Sequence, residues 1–458
     1  MSAIALILAA GEGTRMKSDK PKVAHEILGV PMVRWVVDAA RDAGCERAIA
    51  ITGHRAEHVE ALLGDVEYVR QDKQLGTGHA VMCAQEAFGD FDGSLVVLSG
   101  DTPLLRASTI SGLVAMRESA GAVLTLLTAN LPDPTGYGRI VRDSRGCVAR
   151  IVEEKDCTPA QRAITEVNTG TYCFDSRVLF AHLDRLTTEN VQGEYYLTDM
   201  VSVFVAEGLT VSATLTDDAL ETLGVNSRLQ LADAAKIMQR RINREHMLAG
   251  VSMTDPDLVW IGPDVSLGRD VELLPMTFLM GTTTVGDRVV IGPNSRLTDA
   301  TVAEDARIDA SIVVSATVGP RVSVGPTAYL RVGTVLEADS KAGSCVEIKK
   351  STVGEGSKVP HLSYIGDATI GKDVNVGAGS ITCNFDGFKK HPTAIADGAF
   401  VGSDTMLVAP VTVGEGAITA AGSTIARDVP AGALALERSE QVNVKGWAQR
   451  RRRKKEDE

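Results

Sequence analysis

The hexapeptides Ile261-Gly262-Pro263-Asp264-Val265-Ser266 and Leu267-Gly268-Arg269-Asp270-Val271-Glu272 begin a repeat that decides the fold of the second half of the chain. An aliphatic residue recurs at six-residue steps, at Ile261, Leu267, Leu273, Leu279, Val285, Ile291 and Leu297, again at Val318, Val324, Leu330 and Leu336, and later at Val401, Leu407 and Val413. Neither a helix nor a flat sheet has a period of six. A parallel β-helix does, because each hexad forms one face with its aliphatic side chain inward, and three hexads complete a coil. The spacing therefore predicts a parallel β-helix of hexapeptide repeats.

The six-residue step breaks between Cys383 and Thr393, with regular hexads on both sides. Inserted residues of this kind must leave the β-helix as a loop. Loops that project from a rigid scaffold often carry binding residues. We therefore expect a functional loop at residues 383–393.

The first half of the chain has another pattern, in which apolar segments alternate with amphipathic ones. We predict strands at residues 3–8, 48–52, 95–99, 122–127, 170–174 and 211–214, and helices that include residues 33–43, 107–119 and 195–207. This alternation is typical of a Rossmann-like α/β domain with a mostly parallel sheet and helices on both faces. Apolar residues at helical spacing predict one connecting helix from Arg228 to Leu248. The predicted domains are residues 1–226, a linker helix at 227–250, and the β-helix at 251–458.

A glycine-rich turn follows the first predicted strand, in the sequence Leu8-Ala9-Ala10-Gly11-Glu12-Gly13-Thr14-Arg15-Met16. Such a turn presents backbone N–H groups to one point, which suits phosphate oxygens. Arg15 and Lys22 add two cations, as a triphosphate requires. The turn is neither a P-loop nor a dinucleotide-binding fingerprint. An ordinary strand-to-helix loop with surface charges remains the alternative.

Asp101 follows another apolar strand, residues 95–99, and should reach the same rim of the sheet as Gly11 and Arg15. A carboxylate that faces a triphosphate needs a divalent cation between them, and Mg²⁺ is the usual choice. An N-cap before Pro103 is an equally open interpretation of Asp101.

The net charge, the lengths of the apolar stretches and the cysteine content argue against several classes of protein. The net charge of −12 argues against nucleic-acid binding, and no stretch is long enough for a membrane span or fits a signal peptide. Seven scattered cysteines without a Cys-x-x-Cys motif favour a reducing, cytoplasmic location and argue against a zinc site. We expect the basic run at residues 450–455, followed by acidic residues 456–458, to be a solvated, disordered end.

Both halves together resemble the bacterial bifunctional N-acetylglucosamine-1-phosphate uridylyltransferase/glucosamine-1-phosphate N-acetyltransferase family. The motifs that carry the resemblance are residues 8–16, 21–22, 74–80, 100–104, 136–140, 151–153, 167–170, 224–226, 346–350, 361–367, 375–379, 381–387 and 400–404. The resemblance implies a left-handed β-helix, a homotrimer and two reactions. Acetyl-CoA acetylates glucosamine 1-phosphate, and UTP then converts N-acetylglucosamine 1-phosphate into UDP-N-acetylglucosamine, a precursor of peptidoglycan and lipopolysaccharide.

For the first domain, the resemblance implies that Arg15 and Lys22 neutralise phosphate charge and that Asp101 and Asn226 bind Mg²⁺. It assigns the uridine nucleotide and the acetylated sugar to Leu8, Ala9, Ala10, Gly11, Lys22, Gln71, Gly76, Thr77, Gly138, Glu153, Asn168 and Asn226. Ser99 stands where some relatives carry an aromatic residue.

For the β-helix, the resemblance implies that His361 is the base that accepts a proton from the attacking amine. Without the resemblance, a structural histidine at a coil corner is the simpler interpretation. The remaining assignments are Arg331, Lys349, Tyr364, Asn375 and Lys390 for the sugar phosphate, and Ala378, Asn384, Phe385, Ser403, Ala421 and Arg438 for acetyl-CoA. Departures from the family pattern are Val332, Phe385, His391 and Pro392.

Two other functions stay open on the sequence. One is a nucleotidyltransferase for another sugar whose β-helix serves only oligomerisation or regulation, against which His361 and the Asn384 loop argue. The other is a non-enzymatic assembly subunit, against which the intact Arg15, Lys22, Asp101 and Asn226 argue.

Overall fold

The computed structural model of the protein describes residues 2–456. The chain divides after Met238 into two compact units. The first unit is built on a mixed sheet with the strand order β11-β7-β10-β6-β1-β4-β5, to which β8 and β9 add a hairpin. Its strands, including the separate β2–β3 hairpin, are β1 Ala3–Leu8, β2 Glu26–Ile27, β3 Val30–Pro31, β4 Arg47–Thr52, β5 Glu67–Arg70, β6 Ser94–Ser99, β7 Leu124–Asn130, β8 Arg139–Arg142, β9 Val148–Val152, β10 Glu166–Asp175 and β11 Val211–Leu215.

The apolar run of β1 is buried on both faces of this sheet. Ile4 and Leu6 belong to one hydrophobic cluster, whereas Ala5 and Ile7 belong to the cluster on the opposite face. A strand that is covered on both sides needs apolar side chains at every position, which explains why its sequence does not alternate. The α/β domain predicted from the sequence is confirmed.

The α-helices of the described chain are α1 Met32–Asp42, α2 Ala56–Leu63, α3 Thr77–Phe88, α4 Ala107–Ala120, α5 Pro159–Arg162, α6 Ser176–His182, α7 Met200–Ala206, α8 Arg228–Leu248 and α9 Trp447–Glu456. The predicted connecting helix has the bounds of α8. The helix predicted at residues 195–207 instead begins as a 3₁₀ turn at Leu197–Asp199 and becomes α-helical at Met200. Tyr195 stays outside the helix because its N–H and C=O bond Leu75 O and Gly78 N, each at 2.8 Å.

The second unit stacks three sheets of parallel strands, each strand pairing with the one a coil later. The first sheet contains Ser252–Met253, Glu272–Leu273, Val290–Ile291, Arg307–Ile308, Ser323–Val324, Lys341–Ser344, Lys358–His361, Asn375–Val376, Phe400–Val401, Ile418–Thr419 and Leu434–Ala435. The second contains Val259–Ile261, Thr277–Met280, Arg296–Thr298, Ile312–Val314, Tyr329–Leu330, Glu347–Lys349, Tyr364–Gly366, Ile381–Cys383, Met406–Val408 and Thr424–Ile425. The third contains Ser266–Leu267, Thr284–Val285, Thr301–Val302, Thr317–Val318, Val335–Leu336, Thr352–Val353, Ala368–Ile370, Thr393–Ile395 and Val411–Val413.

The hexad residues form the core of this unit. Ile261 lies in register with Leu279, and Leu279 with Leu297, so that each coil stacks its aliphatic side chain on the next. All three side chains are fully buried. This arrangement fits the left-handed parallel β-helix that the repeat and the family resemblance predict.

Charged residues stand at some corners of the coils in the left-handed backbone region. Asp270, Arg288, Asp305, Arg321 and Asp339 all have φ between 57° and 60°. Arg288 pairs with Asp305 of the next coil at 2.7 Å, and Arg321 pairs with Asp339 at 2.7 Å. These pairs are exposed to solvent, so water and salt screen them and each contributes little to stability.

The basic end of the chain corrects one prediction. Residues 450–455 were expected to be disordered, but the described part forms helix α9, Trp447–Glu456. Its Ala, Gln, Arg and Lys residues have high helix propensity, and Arg451 lies over the Trp447 ring at 5.1 Å from its centroid. The prediction for residues 457 and 458 lies outside the described residues. A search of the described helices finds none with the length and apolarity that a membrane span requires.

Candidate active sites

The opening turn lies at one wall of a cleft of about 340 Å³ at the carboxyl ends of β1 and β6. Leu8 and Ser99, the last residues of these strands, are register partners. The lining residues are Leu8, Ala9, Ala10, Gly11, Lys22, Val23, Ile51, Gln71, Gln74, Gly76, Thr77, Ala80, Ser99, Asp101 and Glu194. The cleft thus collects residues from four separate sequence motifs, as expected for the rim of an open α/β sheet.

Four polar side chains form a network on this rim. Lys22 Nζ contacts Asp101 Oδ2 and donates to Asn226 Oδ1 at 3.1 Å. Arg15 Nη2 also donates to Asn226 Oδ1, at 2.8 Å. A backbone hydrogen bond also joins the segments that carry Asp101 and Asn226, because Val225 N–H donates to Asp101 C=O at 2.8 Å. These contacts agree with the sequence prediction that Asp101 lies on the same rim of the sheet as Gly11 and Arg15.

The oxygens of Asp101 and Asn226 are suitable ligands for a hard cation. Both already accept from one ammonium group, so they converge on a single position of positive charge. Mg²⁺ prefers oxygen ligands and commonly takes one or two from protein, with phosphate oxygens and water as the rest. The N-cap interpretation of Asp101 fails, because α4 begins only at Ala107 and its N-cap position is Arg106.

The predicted sugar-binding residues lie beside one another, with Asn168 on β10, Glu153 directly after β9 and Gly138 directly before β8. Asn168 N–H bonds Gly138 C=O at 2.8 Å, and a side chain on Gly138 would come within 3.0 Å of Ile151 and 3.4 Å of the Glu153 carboxylate. Burial raises the pKa of the Glu153 carboxyl, while a hydrogen bond from Thr198 at 3.2 Å opposes the shift. The result is a partly desolvated acceptor that can bind hydroxyl groups.

The sequence prediction missed residues that support this part of the site. Thr198 holds Glu153, and Tyr172 accepts a hydrogen bond from Asn168 Nδ2 at 2.7 Å. The hydroxyl of Tyr196 is buried without a hydrogen-bond partner in the described structure. Two adjacent tyrosines, Tyr195 and Tyr196, are a noticeable feature in a chain with only 4 % aromatic residues. The contact between Thr198 and Glu153 could not be predicted from them, because this segment is far from β9 in the sequence.

In the second unit, side chains of the inserted loop form a polar cluster with the strand Tyr364–Gly366 of the preceding coil and with Asp367, which follows that strand. Asn384 Nδ2 donates to Asp367 Oδ2 at 2.6 Å and lies 3.5 Å from the Tyr364 hydroxyl. Lys390 Nζ is 3.9 Å from the same Asp367 oxygen. Gly366 is required here, because a Cβ would lie 2.5 Å from both Tyr364 and Asn384. Asp367, which the sequence prediction did not assign, brings together the predicted residues Asn384 and Lys390, and Asn384 in turn lies beside Tyr364.

His361 ends a strand of the first sheet and is exposed. Within residues 2–456 its ring makes no hydrogen bond or ion pair, whereas its backbone C=O accepts from the Ser363 hydroxyl at 2.8 Å. Because the ring is exposed and has no protein partner among the described residues, it is accessible from solvent. The arrangement therefore favours a ring that is available to a ligand.

The other predicted sugar-phosphate residues lie on nearby strands. Lys349 is the register partner of Gly366, and Asn375 pairs with Lys358 on the strand of His361. Arg331 donates to Glu347 at 2.7 Å, which holds the guanidinium on the outer surface. The structure thus places Lys349 next to the Tyr364 strand, while Arg331 lies two coils before it.

Ala378, Ser403 and Ala421 occupy equivalent corners of successive coils. Asp404 N–H bonds Ala378 C=O at 2.7 Å, and Gly422 N–H bonds Ser403 C=O at 2.8 Å. Arg438 extends the row by donating to Ala421 C=O at 3.0 Å. Phe385, in the inserted loop, is 58 % exposed. Four of the six predicted acetyl-CoA residues therefore form one edge.

Fold and sites together define a nucleotidyltransferase domain joined to a hexapeptide-repeat β-helix. A MobA-like NTP transferase domain model matches residues 5–189. The chain is 51 % identical over 436 residues to the bifunctional protein GlmU of Heliobacterium modesticaldum, covering 95 % of each chain. It is 50 % identical to that of Trichlorobacter lovleyi and 49 % identical to that of Caldanaerobacter subterraneus, in both cases over 98 % of each chain. The chain belongs to the family of bifunctional GlmU proteins.

Proposed function

We propose that the chain catalyses two consecutive reactions of UDP-N-acetylglucosamine synthesis, each in its own unit. The β-helix acetylates glucosamine 1-phosphate with acetyl-CoA, and the first unit transfers uridylyl from UTP to the resulting N-acetylglucosamine 1-phosphate with release of pyrophosphate. The observation that carries the proposal is the match to bifunctional GlmU proteins across both units. Residue roles are inferred from the contacts described above.

Uridylyl transfer depends more on the alignment of two polyanionic substrates than on the transfer of a proton. The sugar phosphate is already an anionic nucleophile, so catalysis consists of positioning and charge stabilisation. Arg15 and Lys22 hold the UTP phosphates and the leaving pyrophosphate, while Asp101 and Asn226 hold Mg²⁺. The bound Mg²⁺ supplies additional neutralisation of phosphate charge.

Binding of both substrates follows from the cleft and its neighbouring residues. The turn at Leu8, Ala9, Ala10 and Gly11, together with Gln71, Gly76 and Thr77, binds the uridine nucleotide. Gly138, Glu153 and Asn168 bind the acetylated sugar, for which a buried carboxylate is a strong hydrogen-bond acceptor.

Acetyl transfer needs a base: the ammonium group of glucosamine 1-phosphate first loses one proton to water, and the resulting amine loses a second proton as its nitrogen is acylated. In our proposal, the His361 ring accepts one amine proton as nitrogen attacks the thioester carbonyl. The carbon–sulfur bond then breaks, and the thiolate of CoA receives that proton. Arg331, Lys349, Tyr364, Asn375 and Lys390 orient the sugar phosphate, and Ala378, Asn384, Phe385, Ser403, Ala421 and Arg438 bind acetyl-CoA.

We further propose a homotrimer in the cytoplasm, with the domain limits 1–226, 227–250 and 251–458. Support for the trimer comes from apolar side chains that point outward in register, such as Phe400, Ile418 and Leu434, which are 48, 44 and 61 % exposed. Burial against other copies would remove this apolar surface from water. All seven cysteines are free, as a reducing compartment requires.

The decisive experiment supplies the purified full chain with glucosamine 1-phosphate, acetyl-CoA, UTP and Mg²⁺ and omits one component at a time. Omission of acetyl-CoA should stop formation of UDP-N-acetylglucosamine unless N-acetylglucosamine 1-phosphate is added. Release of CoA thiol without UTP should continue. Failure to release thiol would contradict the acetyltransferase role and favour a β-helix that only assembles subunits.

A further inference from the structure

Gln71 and His79 contact each other at the wall of the first cleft. Gln71 is 4 % exposed, and its Nε2 lies 3.0 Å from Gly76 O and 3.0 Å from His79 Nδ1. A carbonyl oxygen only accepts hydrogen bonds, so the Gln71 atom that faces Gly76 is the amide nitrogen. An amide nitrogen has two hydrogens, and Gly76 and His79 use both of them.

The contact fixes the protonation of His79 and the orientation of Gln71 together. Because Gln71 Nε2 donates, His79 Nδ1 must be the acceptor, which places the hydrogen of a neutral imidazole on Nε2. Gln71 Oε1 then remains as an acceptor, and within residues 2–456 no protein group donates to it. Gln71 itself lines the cleft.

The His79 ring is held in place by its own neighbours. It stacks on the Tyr195 ring, with 6.4 Å between centroids and 28° between planes. Cys83, one turn later on α3, places its sulfur 3.8 Å from both ring nitrogens. Tyr195 is tied to the loop before α3 through the Leu75 and Gly78 backbone hydrogen bonds, each 2.8 Å long. The acceptor on His79 is thus preorganised.

We propose that His79 is a positioning residue that contributes to base selectivity: together with Gly76 C=O, it holds the Gln71 amide with its carbonyl oxygen toward the nucleobase. The proposal rests on the uridylyltransferase function. Uracil carries a hydrogen on N3, whereas the N3 of cytosine is an acceptor. A fixed Oε1 therefore binds the uracil edge and repels cytosine N3, and a site built around one hydrogen bond discriminates against a ligand that cannot form it. If the amide could rotate, Gln71 would offer its NH₂ group to cytosine instead.

The test compares kcat/KM for UTP and CTP in the full chain and in three variants. His79→Leu removes the acceptor and keeps an apolar side chain. His79→Asn places a carbonyl oxygen near the position of Nδ1 and should rescue the interaction. Cys83→Ala is the matched control, because it removes the other polar neighbour of the ring without changing Nδ1. Thermal unfolding of each variant reports whether it is folded.

We expect His79→Leu to lower the UTP/CTP ratio of kcat/KM by roughly 3- to 10-fold, the effect of one hydrogen bond. His79→Asn and Cys83→Ala should keep most of the original ratio. An unchanged ratio in folded His79→Leu, or an equal loss with UTP and CTP, would overturn the inference while the uridylyltransferase function stands. If the unaltered chain forms no UDP-sugar from UTP, the proposed function fails and this inference fails with it.

Discussion

Lys22 and Asp101 are 79 positions apart in the sequence, yet the Lys22 ammonium directly contacts a carboxylate oxygen of Asp101. Their side chains are 17 % and 15 % exposed, so this contact is largely shielded from water. Asn226 shares the same ammonium group. The ammonium group that we propose binds phosphate, and the carboxylate and amide oxygens that we propose bind Mg²⁺, are therefore in mutual contact. A change in one of the three side chains should alter the other two.

Replacement of Asp101 by Ala should lower uridylyl transfer by roughly 10²–10³-fold, a typical cost of losing one group that stabilises developing charge. The dependence of the remaining rate on Mg²⁺ concentration should also weaken. Acetyl transfer should be unchanged, because Asp101 lies in the first unit. Separate assays of pyrophosphate and CoA thiol release measure both effects. Asp92→Ala, a change in a surface pair with Arg177, is the control, and equal loss of both reactions in Asp101→Ala would contradict the two-site assignment.

Replacement of His361 by Ala should lower acetyl transfer by roughly 10²–10⁴-fold, the usual contribution of a general base. Uridylyl transfer with added N-acetylglucosamine 1-phosphate should persist at its original rate. The exposed His58 of α2 provides the control substitution to Ala. A His361→Ala variant with full thiol release would show that another group takes the proton.

The hexad core gives a prediction about stability. Leu279→Ala should lower the free energy of unfolding of the β-helix by about 2–5 kcal/mol, because it leaves a cavity between the buried Ile261 and Leu297 side chains. Guanidinium unfolding followed by far-UV circular dichroism measures the difference. Glu272→Ala, at an outward position of a neighbouring strand, should change stability by less than about 0.5 kcal/mol. Equal effects of the two changes would argue against the core assignment.

Glu153 should affect stability in a pH-dependent way. Burial raises its folded-state pKa above the unfolded value, so the folded state binds the proton more tightly and ionisation of Glu153 destabilises the fold. Glu153→Gln removes the half-buried charge and should raise the melting temperature at pH 7 to 8. The gain should shrink as the pH falls through the raised pKa, where Glu153 is already protonated. Glu86→Gln, at an exposed position of α3, is the control. An increase in melting temperature that becomes larger as the pH falls would contradict the prediction.

The periodic parts of the fold were the parts that the sequence could predict. The six-residue step identified coils whose inward residues from Ile261 to Leu297 are buried, except for the half-buried Leu267. The bounds of α8 were correct, because its helical pattern is long and free of glycine. By contrast, β10 runs antiparallel to both β6 and β7. Strand direction depends on the path of the connections, which local periodicity does not encode.

The site was predictable where a motif contained both a glycine and the functional group, as in the turn before Arg15. Supporting contacts between distant segments were missed, such as Thr198 with Glu153 and Asp367 with Asn384. These polar residues carry no local signal, because their roles arise only when two elements meet. The helical conformation of the basic end was missed because the prediction rested on its run of like charges at the end of the chain, whereas its residues have high helix propensity.

The inserted loop at residues 383–393 has a consequence for how this scaffold can change. Cys383 keeps its partner Val408, and Thr393 keeps its partners Ala368 and Val411, so the ladders on both sides continue as if nothing had been inserted. The strand pairing of the β-helix on both sides is thus independent of the inserted residues. The length and sequence of this one segment can therefore change while the neighbouring coils keep both their sequence and their geometry.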